Sequence, residues 1–217
     1  MAKNKHRRER LARELKRKKE SQSPFPRVLI VCEGEKTEPL YFDDIRKQNR
    51  VPTAHIRVLP ANGTQPRQVV DFAEATFRES KEYEWVFAVF DRDAHTTYLD
   101  ALNRAAALDE KLKNNDGQKV RVIAVPSVPC FELWLLLHFI EIHAFSHRHE
   151  IIQRVATHIA GYEKGLEGVY AATEPMLALA MERARRLKHR FDPRQGDDPV
   201  TLVHEVVELL RSIRPSR

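Results

Sequence analysis

The stretches RVLIVCEGEKTEP, residues 27–39, and EWVFAVFDRDAH, residues 84–95, decide how this chain folds. Each contains a short apolar run rich in β-branched or aromatic residues, which is typical of a buried strand. The first run ends at Glu33, and the second ends at Asp91 and Asp93. Because ligands bind beyond the carboxyl ends of the strands in open α/β sheets, these acidic residues mark the place where we expect the functional site.

Predicted strands and helices alternate up to about residue 126, and this alternation favours a parallel sheet. The predicted strands are residues 28–32, 55–59, 85–90 and 120–125, the last of them ended by Pro126. The helices between them are predicted to begin at Thr37 and to cover residues 66–80 and 98–113. From Cys130 onward the pattern is helical, with predicted helices at residues 131–142, 151–160, 176–188 and 200–213. We therefore expect an α/β fold, a four-stranded parallel sheet flanked by helices, with a C-terminal helical extension.

Three segments follow from these patterns: a basic N-terminal arm and linker over residues 1–23, an α/β core over 24–129, and a helical part over 130–217 that packs on the core. Residues 1–20 carry ten Lys or Arg and three Glu, whereas the rest of the chain has 27 basic and 28 acidic residues. The excess positive charge of the chain therefore lies in the arm. Such an arm either contacts nucleic acid, where it releases counterions from the phosphates, or serves as a solubilising tail.

Composition indicates a cytoplasmic protein that does not contact a membrane. No apolar stretch reaches the roughly 18 residues of a membrane span, and no hydrophobic signal core follows the basic residues at the start. The two cysteines, Cys32 and Cys130, lie on or beside apolar runs without the spacing of a metal site. Buried, reduced thiols are expected.

Glu33, Asp91 and Asp93 are the predicted metal ligands. Side chains alternate along a strand, so the two aspartates should point the same way if strand geometry persists beyond Asp91. Mg²⁺ prefers oxygen ligands and binds through one or two carboxylates together with substrate phosphates, and Mn²⁺ should be able to replace it. Glu35 and Glu38 lie close by in sequence, but Glu33 is preferred because it stands directly at the strand end. The alternative is that these carboxylates are solvated turn residues.

Other residues are weaker candidates for the site. Glu132 follows the loop after the fourth strand, and a Glu in an apolar helix needs a charged, metal or hydrogen-bonding partner when it is buried. A structural ion pair or a helix-start carboxylate explains Glu132 equally well. His95 and Lys36 are placed to contact a phosphate, but both are also explained as exposed loop residues. His138 lies four residues after Trp134 and is predicted to be a packed core histidine.

The acidic motifs resemble those of the Toprim fold, the metal-dependent domain of topoisomerases, primases and related nucleases. Toprim domains carry a Glu after the first strand and an Asp-x-Asp after the third, and Glu33, Asp91 and Asp93 match these positions. The chain is more narrowly similar to the RloB-like proteins over about residues 27–212. The matching segments are VCEGEKTEPLYF, VFDRDAH, PSVPCFELWLLLHF, YEKG and DPVTLVHEVVELL. One departure is Val128, where the family pattern has an Asn.

This resemblance implies a Toprim-like core in a prokaryotic protein of the kind found near restriction-modification and phage-defence loci. We expect a Mg²⁺-dependent nuclease acting on DNA or RNA, in which Glu33, Asp91 and Asp93 hold the metal and Glu132 joins them in catalysis. An ATPase partner of the AAA or ABC type is also implied. Two alternatives stay open: a non-catalytic nucleic-acid-binding or ATPase-associated subunit, and an enzyme that acts on small nucleotide phosphates.

Overall fold

A five-stranded sheet forms the centre of the computed structural model, which describes residues 25–92, 96–195 and 199–213. The strands are β1 Val28–Cys32, β2 Ile56–Pro60, β3 Trp85–Asp91, β4 Arg121–Val128 and β5 Val200–Thr201. They lie in the order β2-β1-β3-β4-β5. The strands β1 to β4 pair in parallel, as predicted, and β5 pairs antiparallel with the end of β4. The predicted α/β class is confirmed, with five strands in place of the expected four.

Two boundaries at the edge of the sheet differ from the prediction. The fourth strand does not end at Pro126; the proline removes one hydrogen-bond donor, but the register with β3 continues past it to Ser127. The last helix does not begin at residue 200, because Val200 and Thr201 form β5 beside the end of β4. Both residues are β-branched, which favours a strand over the first turn of a helix.

Helices cover both faces of the sheet. Their bounds are α1 Thr37–Gln48, α2 Pro66–Ser80, α3 Tyr98–Leu108, α4 Glu132–Leu136, α5 Arg148–His158, α6 Val169–Thr173, α7 Leu177–Arg190 and α8 Val203–Ser212, with a 3₁₀ turn at Glu174–Met176. The prediction for α2 is confirmed at both ends, whereas α6 was not predicted. A five-residue helix that follows a glycine is too short to give a periodic pattern.

Two helices are shorter than their apolar patterns predict. The helix α3 ends at Leu108 because the next residue, Asp109, accepts a hydrogen bond from the backbone N–H of Val122 in β4, at 2.9 Å. The helix α4 ends at Leu136, six residues before the predicted end. Its whole surface is buried, so the apolar run continues past the helix and does not mark where it stops.

Alternate side chains of the strands pack on opposite faces of the sheet. One buried cluster joins the side chains of Leu29, Val31 and Ala88 to α2 and α3. The other joins those of Ile30 and Val89 to α1 and the helices that follow β4. This second cluster draws on residues from both sides of residue 129, so the helical part packs directly on the sheet. The proposed segment boundaries at residues 23 and 129 stay predictions, and the basic arm lies outside the described residues.

The topology brings three strand ends together at one edge of the sheet. The backbone N–H of Glu33 donates to the Val89 carbonyl at 2.9 Å, and that of Arg92 donates to the Ser127 carbonyl at 2.9 Å. These bonds extend the pairing of β1, β3 and β4 beyond the strands themselves. The helix α4 starts shortly after β4 and therefore begins at the same edge. In the described parts of the chain, no helix combines the length and apolar character needed to cross a membrane.

Candidate functional site

A cavity of about 370 Å³ opens at the carboxyl ends of β1 and β3 and contains three of the predicted site residues, Glu33, Asp91 and Glu132. Charged residues dominate its lining. The lining residues are Glu33, Gly34, Glu35, Lys36, Thr37, Glu38, Thr64, Asp91, Glu132, Arg148 and Lys164. Asp93, the third predicted ligand, lies outside the described residues, as does His95.

Glu33 stands directly after β1 and is half-buried. Its Oε2 accepts a hydrogen bond from the backbone N–H of Asp91 at 2.9 Å. The backbone N–H of Glu33 in turn donates to the Val89 carbonyl. Two hydrogen bonds therefore tie this residue to the end of β3, and its carboxylate is held beside that of Asp91.

Asp91 is the last residue of β3, and only 7% of its surface is exposed. One carboxylate oxygen accepts the backbone N–H of Phe131 at 2.8 Å, and the other lies 3.5 Å from a guanidinium nitrogen of Arg148. Burial raises the pKa of Asp91 well above its ordinary value, and the nearby carboxylates of Glu38 and Glu132 raise it further, against the opposing effect of Arg148. Asp91 is therefore not a solvated turn residue.

Glu38, in the first turn of α1, is the carboxylate that the sequence argument set aside. It is 6% exposed and lines the cavity, whereas Glu35 is exposed. Burial raises the pKa of Glu38 to about 7; Glu132 and Glu33 add to the rise, while its own backbone N–H and Lys164 oppose it. A Cβ atom at Gly34 would collide with the Glu38 carboxyl group, so the glycine makes room for it. An acid in the first helical turn just after the strand-end loop was the sequence signal for this residue.

Glu132 begins α4 and is 2% exposed. Its Oε1 accepts a hydrogen bond from the Tyr162 hydroxyl at 3.4 Å and lies 3.8 Å from Nζ of Lys164. Its Oε2 is buried and has no hydrogen-bond partner among the described residues. A buried carboxylate oxygen without a partner is costly, and it is a suitable ligand for a cation.

Three basic side chains from separate segments surround these acids. Lys36 belongs to the loop after β1, Arg148 begins α5, and Lys164 lies in the loop between α5 and α6. Lys36 was a sequence candidate, but the other two were not predicted. Neither residue follows a strand end, and although Lys164 lies in the YEKG segment noted above, the linear pattern does not place that segment at the cavity.

All the described residues that line the cavity lie within the part of the chain that matches a known protein family. The model of the family described as RloB-like protein matches residues 28–210, which is most of the chain and includes all the described residues that line the cavity. The chain belongs to the RloB-like protein family. Comparison with curated proteins and with solved structures gave no match.

The acidic side chains of the cavity in this RloB-like protein offer carboxylate oxygens, which are the ligands that hard divalent cations prefer. Burial and mutual repulsion raise the pKa of both Asp91 and Glu38, and one oxygen of Glu132 has no hydrogen-bond partner in the described part of the chain; a bound cation would relieve each of these. Within the described ranges, no group of three or more His, Cys, Asp or Glu side chains is close enough to hold a metal ion as it stands. Asp93 falls outside those ranges.

Two further residues discussed for this RloB-like protein, His138 and Val128, do not line the cavity. His138 is 1% exposed; its Nδ1 lies 3.0 Å from the Trp134 carbonyl oxygen, and its ring packs edge-on against the Trp134 ring. The prediction of a core histidine is confirmed. Val128, where the resemblance led us to expect an Asn, is buried in the apolar cluster under α2 and α3.

Proposed function

We propose that the protein is a Toprim-type, Mg²⁺-dependent nuclease that hydrolyses phosphodiester bonds of DNA or RNA and acts in prokaryotic phage defence. One observation carries the proposal: carboxylates from the loop after β1, from α1, from β3 and from α4 meet three basic side chains in a single cavity. Metal-dependent phosphodiester hydrolysis uses a group of acids to hold the cation and positive charges to bind the phosphate.

The carboxylates are placed to hold the cation. Glu33 and Asp91 would be its ligands together with Asp93, and the unpartnered oxygen of Glu132 makes this residue a further ligand. When bound, Mg²⁺ would neutralise charge on the phosphate and make a water molecule more acidic. The backbone N–H of Phe131 donates to one carboxylate oxygen of Asp91 and so limits the movement of this side chain before a cation enters.

The remaining side chains would bind the phosphate and move a proton. Lys36, Arg148 and Lys164 supply positive charge at the rim, where a phosphate of the nucleic acid would lie. In the cation-free protein the pKa of Glu38 is raised to about 7, and its carboxyl group is placed in the cavity to act as a general acid or base. The fold assignment as Toprim rests on Glu33 after β1 and on Asp91 with Asp93 after β3, in a parallel sheet.

Cleavage assays on the purified full chain test this proposal. Labelled single-stranded and double-stranded DNA and RNA are incubated with Mg²⁺, Mn²⁺ or EDTA, and the variants are Asp91→Asn and Glu33→Gln. The cleavage rate of each variant should fall by more than about 100-fold, since mutation of a residue that merely hydrogen-bonds to a metal ligand already costs about 10- to 100-fold. Glu79→Gln, an exposed glutamate on α2, is the matched control and should cut like the wild type.

The outcomes separate the proposal from its main alternative. Nucleic acid that is bound but not cut in either metal would favour the non-catalytic subunit, and cleavage restored by an added AAA- or ABC-type ATPase would make the activity conditional on that partner. Metal-dependent cutting that survives both site variants would remove these residues from the mechanism. A phage plating assay with the Asp91→Asn chain then tests the role in defence.

A further inference from the structure

In the loop between α5 and α6, Lys164 forms an ion pair with the buried Glu132 of the site. Nζ of Lys164 lies 3.8 Å from Oε1 of Glu132, and the Tyr162 hydroxyl of the same loop donates to that oxygen. Two residues of the segment YEKG, residues 162–165, therefore contact Glu132. The second carboxylate oxygen of Glu132 is buried and has no hydrogen-bond partner within residues 25–92, 96–195 and 199–213.

The position of this loop is fixed from the other side by α1. The backbone N–H of Gly165 donates to the hydroxyl of Thr37 at 3.1 Å. Gly165 has a φ of +89°, and a Cβ atom there would lie 3.0 Å from Cδ of Lys36. A glycine is therefore needed both for the backbone conformation and for the close approach to the loop after β1. Lys164 is held at the mouth of the cavity by its backbone, and its side chain is half-exposed.

The pair between Lys164 and Glu132 is unequal in burial. The lysine side chain is 53% exposed, whereas that of the glutamate is 2% exposed. Glu132 needs a positive charge because it is buried, but Lys164 loses little by leaving, since half-solvated ion pairs contribute roughly 0 to 1 kcal/mol. A divalent cation brings twice the charge of an ammonium group and repels a lysine that stays beside it.

We propose that Lys164 is the resident counterion of Glu132 in the cation-free protein, that a divalent cation displaces it, and that the freed ammonium group then binds a phosphate of the nucleic-acid substrate. The inference rests on the proposed function, which it deepens by setting an order: the cation enters first and the nucleic acid second. Because Lys164 serves one partner before the cation binds and another afterwards, binding of cation and of nucleic acid should reinforce each other.

Calorimetric titration of Mn²⁺ into the full chain, without nucleic acid and at fixed ionic strength, tests the first step. Lys164→Met removes the competing charge and should bind Mn²⁺ roughly three- to ten-fold more tightly than the wild type, as expected for loss of one nearby positive charge. Lys164→Arg keeps the charge and should bind like the wild type. Lys119→Met breaks an exposed Lys–Glu pair of 3.4 Å at the opposite end of the sheet and should also leave the affinity unchanged.

Binding of a labelled oligonucleotide, with Ca²⁺ in place of Mg²⁺ to limit cleavage, tests the second step. Ca²⁺ should tighten binding by the wild type, and in Lys164→Met this gain should fall several-fold. Equal Mn²⁺ affinity in wild type and Lys164→Met, or an undiminished gain with Ca²⁺ in the variant, would overturn the inference and leave the proposed nuclease standing. A wild type that binds no divalent cation would overturn both.

Discussion

Replacing Glu38 with Gln should stabilise the cation-free protein above pH 7 and change it little at acidic pH. The folded protein raises the pKa of Glu38 to about 7 from an ordinary value of 4.5, chiefly by burial. Each pKa unit corresponds to about 1.4 kcal/mol, so the charged carboxylate costs the fold about 3 kcal/mol once it is ionised. Glutamine has the same shape, keeps an acceptor oxygen and carries no charge at any pH.

The pH window follows from the direction of the shift. Below pH 4.5 Glu38 is protonated in both folded and unfolded chains, so its contribution to stability is fully present there. As pH rises from 4.5 to 7 the unfolded chain releases the proton first, and stability is lost until the folded group ionises as well. The variant escapes this loss, so its advantage should be below about 1 kcal/mol at pH 5 and about 3 kcal/mol at pH 8.

Urea unfolding in EDTA at both pH values measures the effect. A chain of this size changes its melting temperature by about 2–4 °C per kcal/mol, so thermal unfolding at pH 8 should show a rise of roughly 6–12 °C. Glu79→Gln, an exposed substitution on α2, should give no pH-dependent difference. An equal effect of Glu38→Gln at the two pH values, or a variant less stable than the wild type at pH 8, would refute the reasoning.

Three further predictions concern other parts of the molecule. Burial lowers the pKa of His138 to about 4, so its contribution to stability is present above pH 6.5 and declines as pH falls towards 4. In urea unfolding, the free energy of unfolding of His138→Leu should therefore fall by about 2 kcal/mol less than that of the wild type between pH 7 and pH 5. An equal fall in both proteins would contradict this. Gly165→Ala should lower the free energy of unfolding by more than about 1 kcal/mol and should also slow cleavage. Gly117 is likewise at positive φ, but a Cβ atom added there would meet open space, so Gly117→Ala should lose stability without losing cleavage. Similar cleavage by both variants would show that the position of the Gly165 loop is unimportant. Deleting residues 1–20 should weaken nucleic-acid binding and flatten its dependence on salt, and an unchanged salt slope would identify the arm as a tail.

The elements of the sheet were predictable because their signals are local. β1 and β3 are uninterrupted apolar runs with an acid at the end, and α2 begins at a proline and keeps its apolar period to Ser80. The errors arose where tertiary contacts decide the outcome. β5 is two residues long and exists because β4 offers it an edge, which no sequence period reveals.

The site was predictable in the part that lies close to strand ends, together with Glu132 after the loop that follows β4. Glu33 and Asp91 follow strand ends, so parallel pairing brings them together. Glu38 enters the cavity because Gly34 leaves space for it, which is a matter of close packing rather than of spacing. Arg148 and Lys164 come from segments more than 50 residues beyond Asp91 in the chain, and only the folded structure brings them to the acids.

The charge balance of the cavity argues for a cation before a phosphate. The described lining residues include five acids and three bases, so the cavity carries a formal charge of −2 with every group ionised. A phosphodiester is itself an anion and would be repelled there. One divalent cation would bring the formal charge to zero. Asp91 and Glu132 are buried at a strand end and at a helix start, whereas the side chain of Lys164 is half-exposed and belongs to a loop. Such a lysine can give up its place beside Glu132 to a metal ion without rebuilding the fold, and this is the arrangement that an order of binding requires.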